Sequence, residues 1–240
     1  MSGRAGGRAT RAGISAPEVI VALLLGLFVV HLGLTTLARL SAARARLAAR
    51  TDGLVAMRVA RYVLRRELRH GLPGEDWWVD RDSVYLRAYR GTATVCSRDS
   101  ASVEITVSYA GDRLPAPSKD SVLLLDSEGS REVRALTSVV ASTAGCPPFT
   151  AGSEETWRLS GALPPGSVIA RLFERGSYHL SSSALRYRRA GAGRQPLTPE
   201  VWSPTTAWVL SGTRLGLEAQ HHDSIVGPSW EAFLAWADSL

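Results

Sequence analysis

Cysteine is scarce: Cys96 and Cys146 are the only two among 240 residues. That excludes a disulfide-dense scaffold, and two cysteines so far apart have no metal-site spacing of their own. Glycines are common but scattered, and none falls into a phosphate-loop or dinucleotide-binding pattern. Serines are plentiful, Ser181-Ser182-Ser183 among them, yet none stands in a nucleophile elbow. Apolar content is ordinary and gathered into one long run, which excludes a multispanning protein. Internal repeats are not evident, and no block beyond that run has a disordered composition.

Candidate metal sites are equally thin. His221-His222-Asp223 is the most metal-like cluster, but adjacent histidines on a strand point to opposite faces and no third well-spaced ligand follows. Asp120, Asp126 and Glu128 lack the twelve-residue calcium-loop pattern. The residues therefore call for no cofactor and no catalytic centre. The net charge of +6 is mostly arginine, half of it contributed by Arg4, Arg8 and Arg11. It does not by itself imply nucleic acid, which is a disfavoured partner.

What the chain has is a sharply built N-terminus. Three arginines in a small-residue leader precede Gly13-Ile14-Ser15-Ala16-Pro17-Glu18, and an apolar stretch from Val19 to Val30 follows at once. As a helix, Ala16 to Leu40 would rise about 37 Å, enough to cross a bilayer. Basic residues ahead of it favour a cytoplasmic start. His31, Thr35 and Thr36 interrupt the run, and hydroxyls there would bond backbone carbonyls. Ser15 is placed to cap the helix, and Pro17 fits its first turn. A carboxylate at the mouth of such a helix is expensive and needs a reason. The plain alternative is that Glu18 sits solvated at headgroup level.

The helical pattern continues past the membrane. Leu40, Leu47 and Leu54 recur every seven residues, and Met57, Ala60, Leu64 and Leu68 follow at steps of three or four. Gly53 weakens this run by about 1 kcal/mol relative to alanine. His70-Gly71-Leu72-Pro73 is a stop signal. The stripe predicts packing against a following sheet, with a coiled-coil dimer as the alternative.

Beyond Gly74 the period changes from helix to strand. Val103, Ile105, Val107 and Tyr109 alternate with polar residues. Val84–Arg90 and Thr92–Cys96 flank Gly91 like a hairpin. Segments 121–126 and 131–142 predict strands around Glu128-Gly129-Ser130. Further strands are predicted at Trp157 and Leu159 and at 168–173, with a hairpin at 178–187 and another around Gly212. Trp230, Phe233, Leu234 and Ala237 share one helical face and predict a short terminal helix. The organisation expected is α+β: leader 1–13, transmembrane helix 14–40, amphipathic continuation 41–71, and a mostly antiparallel β-rich head 72–240. If the head lies across a membrane, Cys96 and Cys146 form one disulfide; two buried free thiols are the alternative.

The N-terminal series resembles the processing site of type IV prepilins and type II secretion pseudopilins, with Gly13, Ser15 and Glu18 carrying the match. Arg61-Tyr62-Val63-Leu64-Arg65-Arg66-Glu67-Leu68-Arg69 resembles the end of the first helix in larger minor pseudopilins. Arg171-Leu172-Phe173-Glu174, Tyr178-His179-Leu180 and Ala184-Leu185-Arg186-Tyr187-Arg188-Arg189, followed by Gln195-Pro196-Leu197 and Val201, are similar to the J-type minor pseudopilin and W-type minor pilin group. The resemblance implies a pilin-like head and cleavage of the Gly13–Ile14 bond by prepilin peptidase, with methylation of the new N-terminus. It implies an inner-membrane, single-pass subunit with a periplasmic head, which can reach a filament tip or the cell surface after assembly. Its partners would be other minor pilins or pseudopilins and secreted cargo. In that family the glutamate at the position of Glu18 is thought to pair with a neighbour's amine. The competing reading is an unprocessed, anchored module that binds envelope components.

Overall fold

The computed structural model describes residues 15–142, 145–146, 152–212, 214–220 and 229–236. The leader, Gly13, Ile14 and the His221-His222-Asp223 cluster lie outside them. The chain divides into two units, Met1–Ala48 and Ala49–Leu240.

One helix, α1 (Ala16–Leu68), begins in the first unit and ends in the second. It is rich in alanine, leucine and arginine, the residues that lose least on entering a helix. In the first unit its apolar side chains are exposed along the run, as with Leu24, Leu27 and Leu37. An 18-residue window there reaches a mean hydropathy of 2.4, long and apolar enough to cross a membrane. Thr35 and Thr36 each donate to the Leu32 carbonyl, so the polar interruption is satisfied within the helix.

In the second unit α1 buries Gly53, Ala56, Met57, Ala60, Leu64 and Leu68. Three of these are glycine or alanine, which let the helix backbone approach closely. The burial corrects one part of the expected stripe. Met57, Leu64 and Leu68 are core residues, whereas Leu40, Leu47 and Leu54 are exposed. A strict seven-residue repeat drifts around an α-helix by about 20° per repeat. The inward row instead follows steps of three and four from Gly53, about one residue's rotation from Leu54. The helix ends where expected: Gly71 N–H bonds the Leu68 carbonyl, and Leu72 N–H turns away to Asp76.

Among the described residues twelve strands follow. β1 (Trp77–Asp80), β2 (Ser83–Asp99), β3 (Glu104–Gly111), β4 (Ser121–Asp126), β5 (Arg131–Ala141), β6 (Ser153–Leu159), β7 (Ser167–Ser181), β8 (Ala184–Arg189) and β9 (Arg194–Pro196) form one sheet. β10 (Ala207–Ser211), β11 (Arg214–Gln220) and β12 (Ser229–Trp236) form another. All strand pairs are antiparallel, as the sequence predicts. The larger sheet has the order β1-β2-β3-β6-β5-β4-β7-β8-β9, with β2 also paired to β7. That extra pairing closes six strands into a ring, β2-β3-β6-β5-β4-β7. Ala93, Ile105, Val107, Tyr109, Val122, Leu124, Leu136, Trp157, Leu159, Ala170 and Leu172 make one core. A second core joins the inward face of α1 to Trp77, Val84, Leu86, Ala88, Tyr178, Leu185, Trp202, Trp208, Leu215 and Leu217.

Two local expectations are overturned. The hairpin about Gly91 is a single strand, β2, with a register shift between Tyr89 and Gly91. A tight hairpin needs positive φ at its centre, and Gly91 has none. Gly91 pairs with Gly111, and the Tyr109 ring covers both; a Cβ at Gly91 would lie 2.4 Å from that ring. The terminal helix is strand β12, in register with β11 from Trp230↔Ala219 to Trp236↔Arg214. Aromatic-rich segments fit a pleated sheet well, and a partnered edge outweighs a short helical stripe.

Cys96, near the end of β2, is bonded to Cys146, with Cα atoms 5.3 Å apart and a sequence separation of 50. Reduction of the folded protein is expected to lower stability by about 2–4 kcal/mol, read as a lower denaturation midpoint with and without dithiothreitol. Gly111→Ala is expected to displace the Tyr109 ring and cost about 1–3 kcal/mol, measurable in the same experiment.

Candidate functional site

The candidate site is α1, whose two ends carry the charged groups. At the N-terminal end, Ser15 precedes the first helical residue. Glu18 Oε2 accepts from both the backbone N–H and the Oγ of Ser15, each at 3.1 Å, and the Ser15 carbonyl accepts from Glu18 N–H at 3.0 Å. A carboxylate three residues into a helix reaching back to the cap is half of a capping box. It also sits where the helix dipole favours an anion. Glu18 is the only acidic residue before Asp52. It is exposed, so its carboxylate is available to a second partner.

At the other end the helix is clamped to the sheet by buried charge. Arg90, on β2, donates to both carboxylate oxygens of Glu67 (2.8 and 2.9 Å) and to Glu174 of β7 (2.8 Å). Glu174 also accepts from Tyr187 of β8 (2.9 Å), Arg113 (3.1 Å) and Arg189 (2.7 Å). Arg113 in turn makes a two-pronged pair with Asp120, at 2.7 and 2.6 Å. Glu174 is 6% exposed and Asp120 2%, so these are interior charges rather than surface pairs. Burial pushes the Glu174 carboxyl up, but Arg90, Tyr187 and Arg189 outweigh it and leave it below its ordinary value. Glu67 goes the other way: burial raises its carboxyl, and Arg90 offsets only part. Glu67 and Glu174 come from segments quoted separately for the resemblance, and the fold brings both to one guanidinium.

A second ionic knot holds the turn after the helix. Asp76, 1% exposed, accepts from Leu72 N–H, Arg87, Tyr89 and Arg131. Burial alone would raise its carboxyl, but these donors together lower it. Arg131 also pairs with Glu75.

A third polar cluster lies between β2 and β7. Ser83 Oγ donates to Asp82 (2.9 Å) and has one proton, so it accepts from His179 Nδ1 at 2.7 Å. That leaves His179 Nε2 to accept from Ser177 Oγ at 2.8 Å. Ser83, Ser177 and His179 are at most 5% exposed, so this series cross-ties strands and is closed to substrate. Burial, with Arg194 and Arg188 nearby, lowers the His179 imidazole below its ordinary value, against the weaker pull of Asp82.

Residues considered earlier for metal binding or nucleophilic chemistry, and Arg186 of β8, have structural roles. Asp120 holds Arg113, and Asp126 Oδ1 accepts from Glu128 N–H and Ser130 N–H in the β4–β5 turn. Ser182 and Ser183 form the β7–β8 turn, both with positive φ. Arg186 pairs with Glu200. Among the described residues no group of three or more histidine, cysteine, aspartate or glutamate side chains is arranged to hold a metal. Sequence reasoning missed Arg90, Asp76 and the histidine relay, since each pairs across sequence gaps that no local pattern encodes. A carboxylate flanked by leucines, as Glu67 is by Leu64 and Leu68, was the one available signal.

Arg90→Met is expected to destabilise the head by about 3–5 kcal/mol, because two buried carboxylates lose their shared cation. Glu18→Ala, distant from that clamp in sequence, should leave the head's denaturation midpoint unchanged. His179 supplies a pH signature. Its folded value is depressed, so the unfolded chain takes up the proton first and stability falls as pH drops below about 6.5. The melting temperature should decline between pH 7 and pH 5.5, and His179→Gln should flatten that decline. No family model, curated protein or solved structure matches the chain.

Proposed function

We propose that the chain is a minor pilin or pseudopilin, a non-enzymatic subunit inserted through α1 and assembled through it. The observation that carries this reading is the lone acid Glu18, set five residues after Gly13 at the start of a helix that is first bilayer-compatible and then anchored in an antiparallel β head. Prepilin peptidase would act on the Gly13–Ile14 bond, where glycine offers no side chain to a narrow cleft. The product carries a cationic amine on Ile14. A carboxylate in hydrocarbon costs several kcal/mol unless paired, and a neighbour's amine is the nearest obligatory cation. Such pairing would set the axial register between packed helices.

The head would stand on the periplasmic side of the inner membrane, where the Cys96–Cys146 bond is chemically at home. It would meet fellow minor subunits or secreted cargo. The Glu67–Arg90–Glu174 clamp supports the reading mechanically, because force or position applied to the helix is delivered directly to the sheet.

One observation favours the alternative of an unprocessed, anchored envelope-binding module. The Ser15–Glu18 hydrogen bonds give Glu18 a helix-capping role that needs no neighbour. Intact-mass measurement on protein extracted from membranes with active prepilin peptidase separates the two. The proposal expects a chain starting at methylated Ile14; a chain retaining residues 1–13 overturns it. Glu18→Ala is expected to abolish incorporation into filaments while the head remains folded, and undiminished incorporation would reject the pairing role.

A further inference from the structure

Within the second unit α1 has another face, on the flank about one residue's rotation from the one in the core. Leu54, Arg58, Arg61, Arg65 and Arg69 recur at steps of three and four, which stacks them along one side of a helix. The four arginines line one groove with Tyr62, and all are exposed. Tyr62 is 68% exposed and Leu54 39%.

This face is costly as it stands. Like charges three and four residues apart each destabilise a helix by a small amount. Arg66, which meets the sheet, has a carboxylate partner in Asp112 at 2.6 Å, while Glu67, an acid of α1 itself, is taken by Arg90. Among the described residues Arg58, Arg61 and Arg65 form no ion pair, and the nearest partner of Arg69 is the imidazole of His70 at 2.6 Å. The acids available on this stretch of helix are Asp52 and Glu67 alone.

We infer that this stripe docks the acidic flank of an α-helix from an unlike subunit, one with carboxylates at the same three-and-four spacing and an aliphatic residue opposite Leu54. Charge complementarity selects the partner. A second copy presenting this face would set arginine against arginine. The guanidinium forks, in a chain whose sole lysine is Lys119, suit two-pronged carboxylate pairing in fixed register. A headgroup layer has no register to match. Tyr62 and Leu54 add the apolar and aromatic anchors typical of protein interfaces. The inference rests on the assembly reading above and names the kind of neighbour that reading requires.

The test uses the full chain in detergent micelles. The main probe is a 21-residue alanine-based helical peptide with glutamates at steps of three and four and one terminal leucine. A second peptide has the same composition with its glutamates distributed around the helix. Vesicles of phosphatidylglycerol are the third arm. The stripe lies outside the core and its like charges repel, so Arg58→Gln/Arg61→Gln/Arg65→Gln should keep the wild-type melting temperature or raise it slightly. The triple variant is expected to bind the first peptide roughly tenfold more weakly than wild type, and the wild-type chain should prefer that peptide to the scrambled one. Equal affinity of wild type and variant overturns the inference, as does equal affinity for the two peptides. Vesicle binding lost in the variant, without peptide binding by either chain, assigns the stripe to a lipid surface and also overturns it. In cells the triple variant should be processed at Gly13 yet fail to enter filaments. Normal entry overturns the stripe and leaves the assembly reading standing. An uncleaved wild-type N-terminus sinks the assembly reading, while the peptide comparison still decides the stripe.

Discussion

One guanidinium holds the head to its helix. Arg90 lies between Glu67 of α1 and Glu174 of β7, with two carboxylates sharing its charge and further donors completing their coordination. Burying three charges is favourable only when every oxygen and N–H finds a partner. That condition is strict, so it fixes the helix at one rotation and one height on β2 and β7. The apolar contacts of Ala56, Ala60 and Leu64 are compatible with sliding by a turn, whereas the ionic clamp is not. Packing supplies most of the stabilisation, and the clamp selects the register.

The same division of labour recurs through the second unit. Asp76 gathers donors from the helix end, β2 and β5, and fixes the turn by which the chain leaves the helix. The His179 relay ties β2 to β7 where they pair. The small residues on α1 and the glycines beneath Tyr109 and Tyr187 allow close approach. In each case a polar or aromatic group specifies an arrangement that hydrophobic burial alone would leave degenerate.

Much of this organisation was legible in the chain. The period of three and four located the helix and its end, because burial on one side of a helix forces that spacing. Alternation located β3, because a half-buried strand must alternate, and short apolar segments located the β4–β5 pair about its turn and the β7–β8 hairpin. Local patterns failed where distant pairing decided the outcome. Gly91 reads as a turn until Tyr109 lies across it, and the segment at Trp230 reads as a helix until β11 offers an edge. The leucines at 40, 47 and 54 followed a true repeat, but one on a different flank from the core. At the candidate site, Ser15 and Glu18 are adjacent and their capping relation was partly visible. Arg90 was invisible, since Glu67 and Glu174 reach it from positions 23 before and 84 after it in the chain.

The closure of the strand ring has a temporal side. Ser83 faces His179 across a sequence separation of 96, and the whole ring is complete only when that seam forms. Contacts so remote in the chain are slow to form, because loop-closure entropy is lost before any of them is rewarded. A polypeptide emerging helix-first would therefore have its greasy segment available well before its head could close. The helix would be complete before the ring, and β2 would stay unpaired along that seam until β7 arrives.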